Sequence, residues 1–178
     1  TLNSNTNTSF AALQELIDNT ESGDTLVINQ NYTYATGDSP ITISGSVNVD
    51  FNGTTVSGNN QASTLFNITG KDVSLENVVV KDSTGSAIVS TGDNTKIDGL
   101  TAENIKGTVI DIQEDNTIIN DINLNNHDTT GIKITGSNSQ VSEVDAKGGS
   151  GTVIDVTGDT TQITGLNLTN HDGTGVKA

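Results

Sequence analysis

The chain has 178 residues, of which 31% are hydrophobic and 3% aromatic, and its 22 acidic side chains against 7 basic ones give a formal charge of −15 at pH 7. Nucleic acid is excluded as a partner: affinity for a phosphate backbone comes from Lys and Arg displacing counterions, and here a few scattered lysines stand in a chain without arginine. A membrane-spanning helix is excluded because no apolar run reaches the ~18 residues it needs, and the absence of cysteine removes disulfides and thiol chemistry without fixing a compartment.

The chain opens at Thr1 without a start methionine or signal-like segment and reads as an excised piece. Its one helix candidate is "SFAALQELIDNTESGD". Phe10, Leu13, Leu16 and Ile17 fall on one face, Thr8 or Ser9 can cap the start, and Gly23 follows the end. "TLVINQNYTY" (25–34) then reads as a first strand pair, and "ITISGSVNVDFNGTTVSG" (41–58) as a coil with Ile41, Ile43, Val47, Val49 and Val56 turned inward.

From residue 64 onward the chain aligns with itself at a shift of 22. Phe66, Ile88, Ile110, Ile132, Ile154 and Val176 form one apolar column; Leu75, Ile97, Ile119, Val141 and Ile163 form a second; Val78, Leu100, Ile122, Val144 and Leu166 form a third. Apolar residues two apart within each unit, as at 66 and 68, require strands with one buried face. Bends carry Gly70, Gly92, Gly136 and Gly158, then Asp72, Asn94, Asn116 and Asn138, then Asp82, Asn104, Asn126 and Asn170, residue types that tolerate positive φ.

One unit of this kind cannot bury its apolar face alone, whereas coiling stacks each strand between parallel partners. The predicted fold is all-β: a right-handed parallel β-helix, a solenoid with three strands per 22-residue coil and a rise of ~4.8 Å. Residues 1–24 form an N-terminal segment with an amphipathic capping helix, a lid over the open end of the stack. Residues 25–178 form the β-helix within one structural domain, and the unfinished last coil predicts that further coils of a parent chain follow.

The opening "F-x-x-L-Q-x-L-I … SGDT-L-x-I", followed by Asn/Thr-rich coils with G-N and N-G turns, resembles the N-terminal portion of pectate-lyase-like right-handed β-helices. In composition the chain is similar to the large adhesin-like surface proteins of methanogenic archaea. The resemblance spans essentially the whole chain and implies a secreted or cell-surface location. It does not carry lyase chemistry, because the arginine such enzymes use is absent, as are the polygalacturonase-like Asn-Thr-Asp, Asp-Asp and Gly-His-Gly motifs.

Four constellations remain as candidate sites. "NLNNHDTTG" returns as "NLTNHDGTG", so His127 and His171 lie two coils apart with Gly149 between them, and 12 of the 22 positions from Thr108 and from Thr152 onward are identical. That separation predicts imidazoles ~9.6 Å apart, too far for one zinc, whose two nitrogens stand at most ~4.2 Å apart, and the pair reads as a structural turn element. Asp111, Lys133, Asp155 and Lys177 alternate in charge up one column and predict a ladder of exposed ion pairs, with a sugar-binding strip as the alternative.

Stacked carboxylates pair Glu76 with Asp98, Asp93 with Asp115, and Asp121 with Glu143. Asp121 and Glu143 are the catalytic candidates if the chain is a polysaccharide hydrolase or lyase, since such enzymes need two carboxyls at ~5–9.5 Å. Asp93 and Asp115 are the metal candidates, with calcium as the one cofactor to consider. Among the sequons, Asn31 and Asn52 lie near predicted turns and are possible glycosylation sites. The functional expectation is a non-catalytic, extracellular adhesin or surface-display module facing a glycan or protein receptor, with a tailspike-like enzyme or a purely structural stalk as alternatives.

Overall fold

The computed structural model describes residues 7–178. The single helix, α1, runs Phe10–Asp18. Ser9 caps it, its hydroxyl accepting from Ala12 N at 3.2 Å, and Asn19 ends it. Sixteen short strands follow. β1 (Thr25–Val27), β2 (Tyr32–Thr33), β3 (Ile41–Ile43), β4 (Asn48–Asp50) and β5 (Thr55–Ser57) make the first coils. β6 (Thr64–Ile68), β7 (Ser74–Ser83), β8 (Ser86–Ser90), β9 (Lys96–Ile105), β10 (Ile110–Ile112), β11 (Ile118–Asn125), β12 (Ile132–Ile134), β13 (Gln140–Lys147), β14 (Ile154–Val156), β15 (Gln162–Thr169) and β16 (Val176–Lys177) repeat a short and a long strand in turn.

All pairing is parallel and runs between coils. One sheet has the order β16-β14-β12-β10-β8-β6-β3, the other β1-β4-β7-β9-β11-β13-β15, with β5 beside β7 and β2 beside β5. The shift of 22 is the hydrogen-bonded register: Phe66 pairs with Ile88, Ile88 with Ile110, Ile110 with Ile132 and Ile132 with Ile154. This is a β-solenoid of about seven turns.

Each long strand is two segments joined at a bend. In β11, Ile118–Asn120 and Ile122–Asn125 pair with both neighbouring coils, while Asp121 is unpaired at φ +58. With the short strand, these supply the three segments of a coil. In the earliest coils the bend is wider, residues 51–54 replacing residues 77–78 between the paired positions. The two extra residues break the sequence period there, and Phe51 at this bend is buried and meets Phe66 edge-on at 5.6 Å.

Inward columns form one continuous core. Phe66, Ile88, Ile110, Ile132 and Ile154 are fully buried, as are Ile41, Ile43, Val49 and Val56 upstream. Burying such a side chain contributes ~1.5–3 kcal/mol, which lets a chain of low overall hydrophobicity hold a long, thin interior. Beside them runs an interior column that starts with Val73 and turns polar at Thr95, Thr117 and Ser139. Thr95 and Ser90 satisfy each other at 2.7 Å, but where Ile112 replaces Ser90, the Thr117 hydroxyl has no partner.

Bend residues divide into two kinds. The Asx columns adopt positive φ, from +56 to +63 at Asp72, Asn94, Asn116 and Asn138. The glycine column is different from expectation, since Gly70, Gly92, Gly136 and Gly158 do not have positive φ. A Cβ on Gly92 would lie 1.9 Å from the carbonyl oxygen of Gly70, and one on Gly136 1.9 Å from that of Glu114. Glycine is needed there because neighbouring coils approach too closely for a side chain.

The helix closes the N-terminal end. Phe10, Leu13 and Ile17 are buried, and Phe10 meets Tyr34 edge-on at 5.3 Å. Gln14 plugs the sheet edge: its Oε1 accepts from Thr42 N at 2.7 Å and its Nε2 donates to Thr42 O at 2.8 Å. One amide side chain thereby stands in for the missing strand beside β3, the end strand of its sheet.

Candidate functional site

The bend column carries Asn77, Gly99, Asp121, Glu143 and Gly165, all at positive φ. Because Gly99 has no side chain, a groove of about 200 Å³ opens across the coils, lined by Asn77, Val79, Thr101, Asp121 and Asn123. Thr101, Asp121 and Asn123 make no side-chain hydrogen bond to the protein. In the adjacent column Asn120 Nδ2 donates to Asp98 Oδ1 at 3.1 Å and Ser142 Oγ to Asn120 Oδ1 at 2.8 Å, and further along the column of Asn123, Asn167 Nδ2 donates to Asp145 Oδ1 at 3.0 Å. Free amide, hydroxyl and carboxylate groups beside an apolar Val79 edge suit a polyhydroxylated ligand, which needs donors, acceptors and a patch for its C–H face.

A larger cleft of about 560 Å³ lies between α1 and residues 37–40. Part of its polar lining is occupied, Asp38 Oδ2 accepting from Phe10 N and Ala35 N at 2.9 Å and Gln14 Nε2 donating to Asp18 Oδ1 at 2.9 Å. It is the seam of the cap.

Glu143 occupies φ +52, and its carboxylate leans over Gly165, where a Cβ would come within 2.6 Å of Oε1. It is directed to the coil beyond, away from Asp121. Asp93 and Asp115 are engaged in their turns: Asp93 Oδ1 accepts from Asn116 Nδ2 at 3.3 Å and Asp115 Oδ1 from Ser137 N at 2.7 Å. Among the described residues no group of three or more His, Asp or Glu is placed to hold a metal ion. Asn31 and Asn52 are both exposed at turns; Asn31 Oδ1 accepts from Thr55 N at 2.9 Å, and Asn52 has φ +52.

No protein-family model, curated protein or solved structure matches this chain. Function has to be read from the surface itself.

Two expectations are corrected. Asp111, Lys133, Asp155 and Lys177 stand side by side in register, yet no ion pair closes among them. At a hydrated surface the Coulomb gain barely offsets the entropy of fixing a long side chain. The second correction concerns the histidines, whose rings are 4.8 Å apart at an interplanar angle of 9° rather than ~9.6 Å apart. Gly149, at φ +81 in the intervening coil, contributes no side chain, so the two rings fill its space and stack. Gly131 and Gly175, four residues after each histidine, alternate with Val109 and Val153 in one column, so bulk and absence of bulk are exchanged coil by coil. Parallel rings direct their lone pairs side by side, so they do not converge on one ion.

The groove positions Thr101 and Asn123 escape sequence reasoning. The available signal is the glycine at position 99, flanked in its column by Asn77 and Asp121.

Proposed function

We propose that the chain is a non-catalytic, extracellular module of an adhesin-like surface protein, facing glycan or protein receptors on a neighbouring cell. The observation that carries this reading is the groove at the bend, where Thr101, Asp121 and Asn123 make no side-chain hydrogen bond to the protein, while Asp98, Asn120 and Ser142 in the adjacent column bond one another. The stack of coils supplies a rigid, repetitive support, and the resemblance to archaeal adhesin-like proteins supplies the setting.

Binding to an immobilised glycan panel and to whole cells tests the proposal, with an Asp121→Ala, Asn123→Ala variant as comparison. Each lost hydrogen bond weakens binding roughly two- to tenfold, corresponding to about 0.5–1.5 kcal/mol. Uniform absence of binding by the wild type leaves only a stalk role. Cleavage of acidic polysaccharides that disappears in an Asp121→Asn, Glu143→Gln variant replaces the adhesin reading with an enzyme.

A further inference from the structure

His127 and His171 occupy the same corner of the coil, and their chemistry is constrained from both sides of each ring. His127 Nδ1 lies 2.8 Å from Thr129 O, and His171 Nδ1 lies 2.8 Å from Gly148 O. A carbonyl only accepts, so each Nδ1 carries the hydrogen and each neutral ring presents Nε2 as a bare lone pair. Both Nε2 atoms are sealed from solvent without a partner. A proton added at either one creates a buried N–H with no acceptor, and a second proton sets two like charges in contacting rings 4.8 Å apart.

The pair also ties coils together. His171 holds Gly148 O, while the backbone carbonyl of His127 accepts from Ser150 N and Gly151 N, both at 3.1 Å. Residues 148–151 are thus gripped from the coils on either side. We propose that the His127–His171 stack is a proton-sensitive clasp on the C-terminal coils, closed at neutral pH and released in mildly acidic surroundings.

The charged groups at this corner are Asp128 and Asp172, which follow the two histidines, and Lys106 and Lys147 in neighbouring coils. Burial holds His127 below the ordinary histidine value of 6.5; its bond to Thr129 opposes this, the His171 ring adds to it, and Asp128 opposes it. Asp128 is itself engaged, its Oδ1 accepting from Ser150 Oγ at 3.3 Å. A folded-state value below the unfolded one means that the unfolded chain binds more protons. The stack's contribution is therefore complete above pH 6.5 and is lost as pH falls through the lower, folded value.

Histidine NMR titration of the full chain, with amide hydrogen exchange of residues 148–151 and 170–173, tests the clasp. The expected result is a His127 midpoint below 6.5 and a fall in amide protection of up to about tenfold for each pH unit between 6.5 and that midpoint, levelling off beneath it. In His171→Ala the His127 midpoint rises and the pH step in protection vanishes. A His127 midpoint at or above 6.5, or protection unchanged by acid, overturns the proposal. So does a His171→Ala protein that keeps the full step, and if that variant does not fold, the wild-type titration decides alone.

Discussion

Thr160 is the one β-branched residue at positive φ in the column Asp72, Asn94, Asn116, Asn138 and Thr160, with φ +57 against +56 to +63 in the coils before it. A left-handed conformation costs an ordinary L-residue ~1–2 kcal/mol, and Asn escapes much of this through local hydrogen bonding. Thr160→Asn is therefore expected to stabilise the last coils by ~1 kcal/mol, and Asn116→Thr to destabilise the middle of the stack by ~1–2 kcal/mol. The second figure includes a small share for the exposed bond from Asn116 Nδ2 to Asp93 Oδ1 at 3.3 Å. Urea unfolding reads Asn116→Thr as a lower midpoint with unchanged slope. Thr160 lies near the less buried end of the core, so its effect is read as local amide protection, a gain of about fivefold for 1 kcal/mol. An Asn116→Thr protein within about 0.5 kcal/mol of wild type, inside the range of ordinary surface substitutions, or a Thr160→Asn protein with reduced protection, refutes the reasoning.

Three further outcomes are expected. Gln14→Glu keeps the shape of the edge plug but removes the donor to Thr42 O, so it should lower the unfolding free energy by ~1 kcal/mol, and Gln14→Leu by more, with faster exchange in β3. Thr117→Val, which gives the position the residue type found at Val73, should be neutral or stabilising by up to ~1 kcal/mol because it removes an unpartnered buried hydroxyl. Thr95→Val should cost ~1–2 kcal/mol by breaking the pair with Ser90; thermal unfolding by circular dichroism distinguishes the two signs. Gly136→Ala drives a Cβ into the Glu114 carbonyl and should cost ~1–3 kcal/mol, whereas Gly45→Ala, with only Val47 Cγ1 at 3.9 Å, should leave the unfolding midpoint unchanged.

Much of the solenoid was legible in the residues. Ile88, Ile110 and Ile132 recur at a shift of 22 because a parallel coil places each residue beside its own repeat, and that shift is the observed register. Left-handed bends at Asn94, Asn116 and Asn138 follow from the same columns. The candidate groove was legible only as a glycine out of place at position 99, since its depth depends on how coils lean against one another.

Sequence by itself determined which residues are neighbours along the axis of the stack, because strand alternation and a constant coil length from residue 64 onward leave one register that buries the aliphatic columns. Tertiary structure alone decided what happens across that axis. Gly70, Gly92, Gly136 and Gly158 are required by backbone approach, a distance that periodicity does not carry. Two histidines separated by a whole coil meet because Gly149 leaves room for them. Lys133, adjacent to Asp111 and Asp155 in register, stays in water. Repetition specifies adjacency, while free volume and solvation decide whether adjacent groups touch.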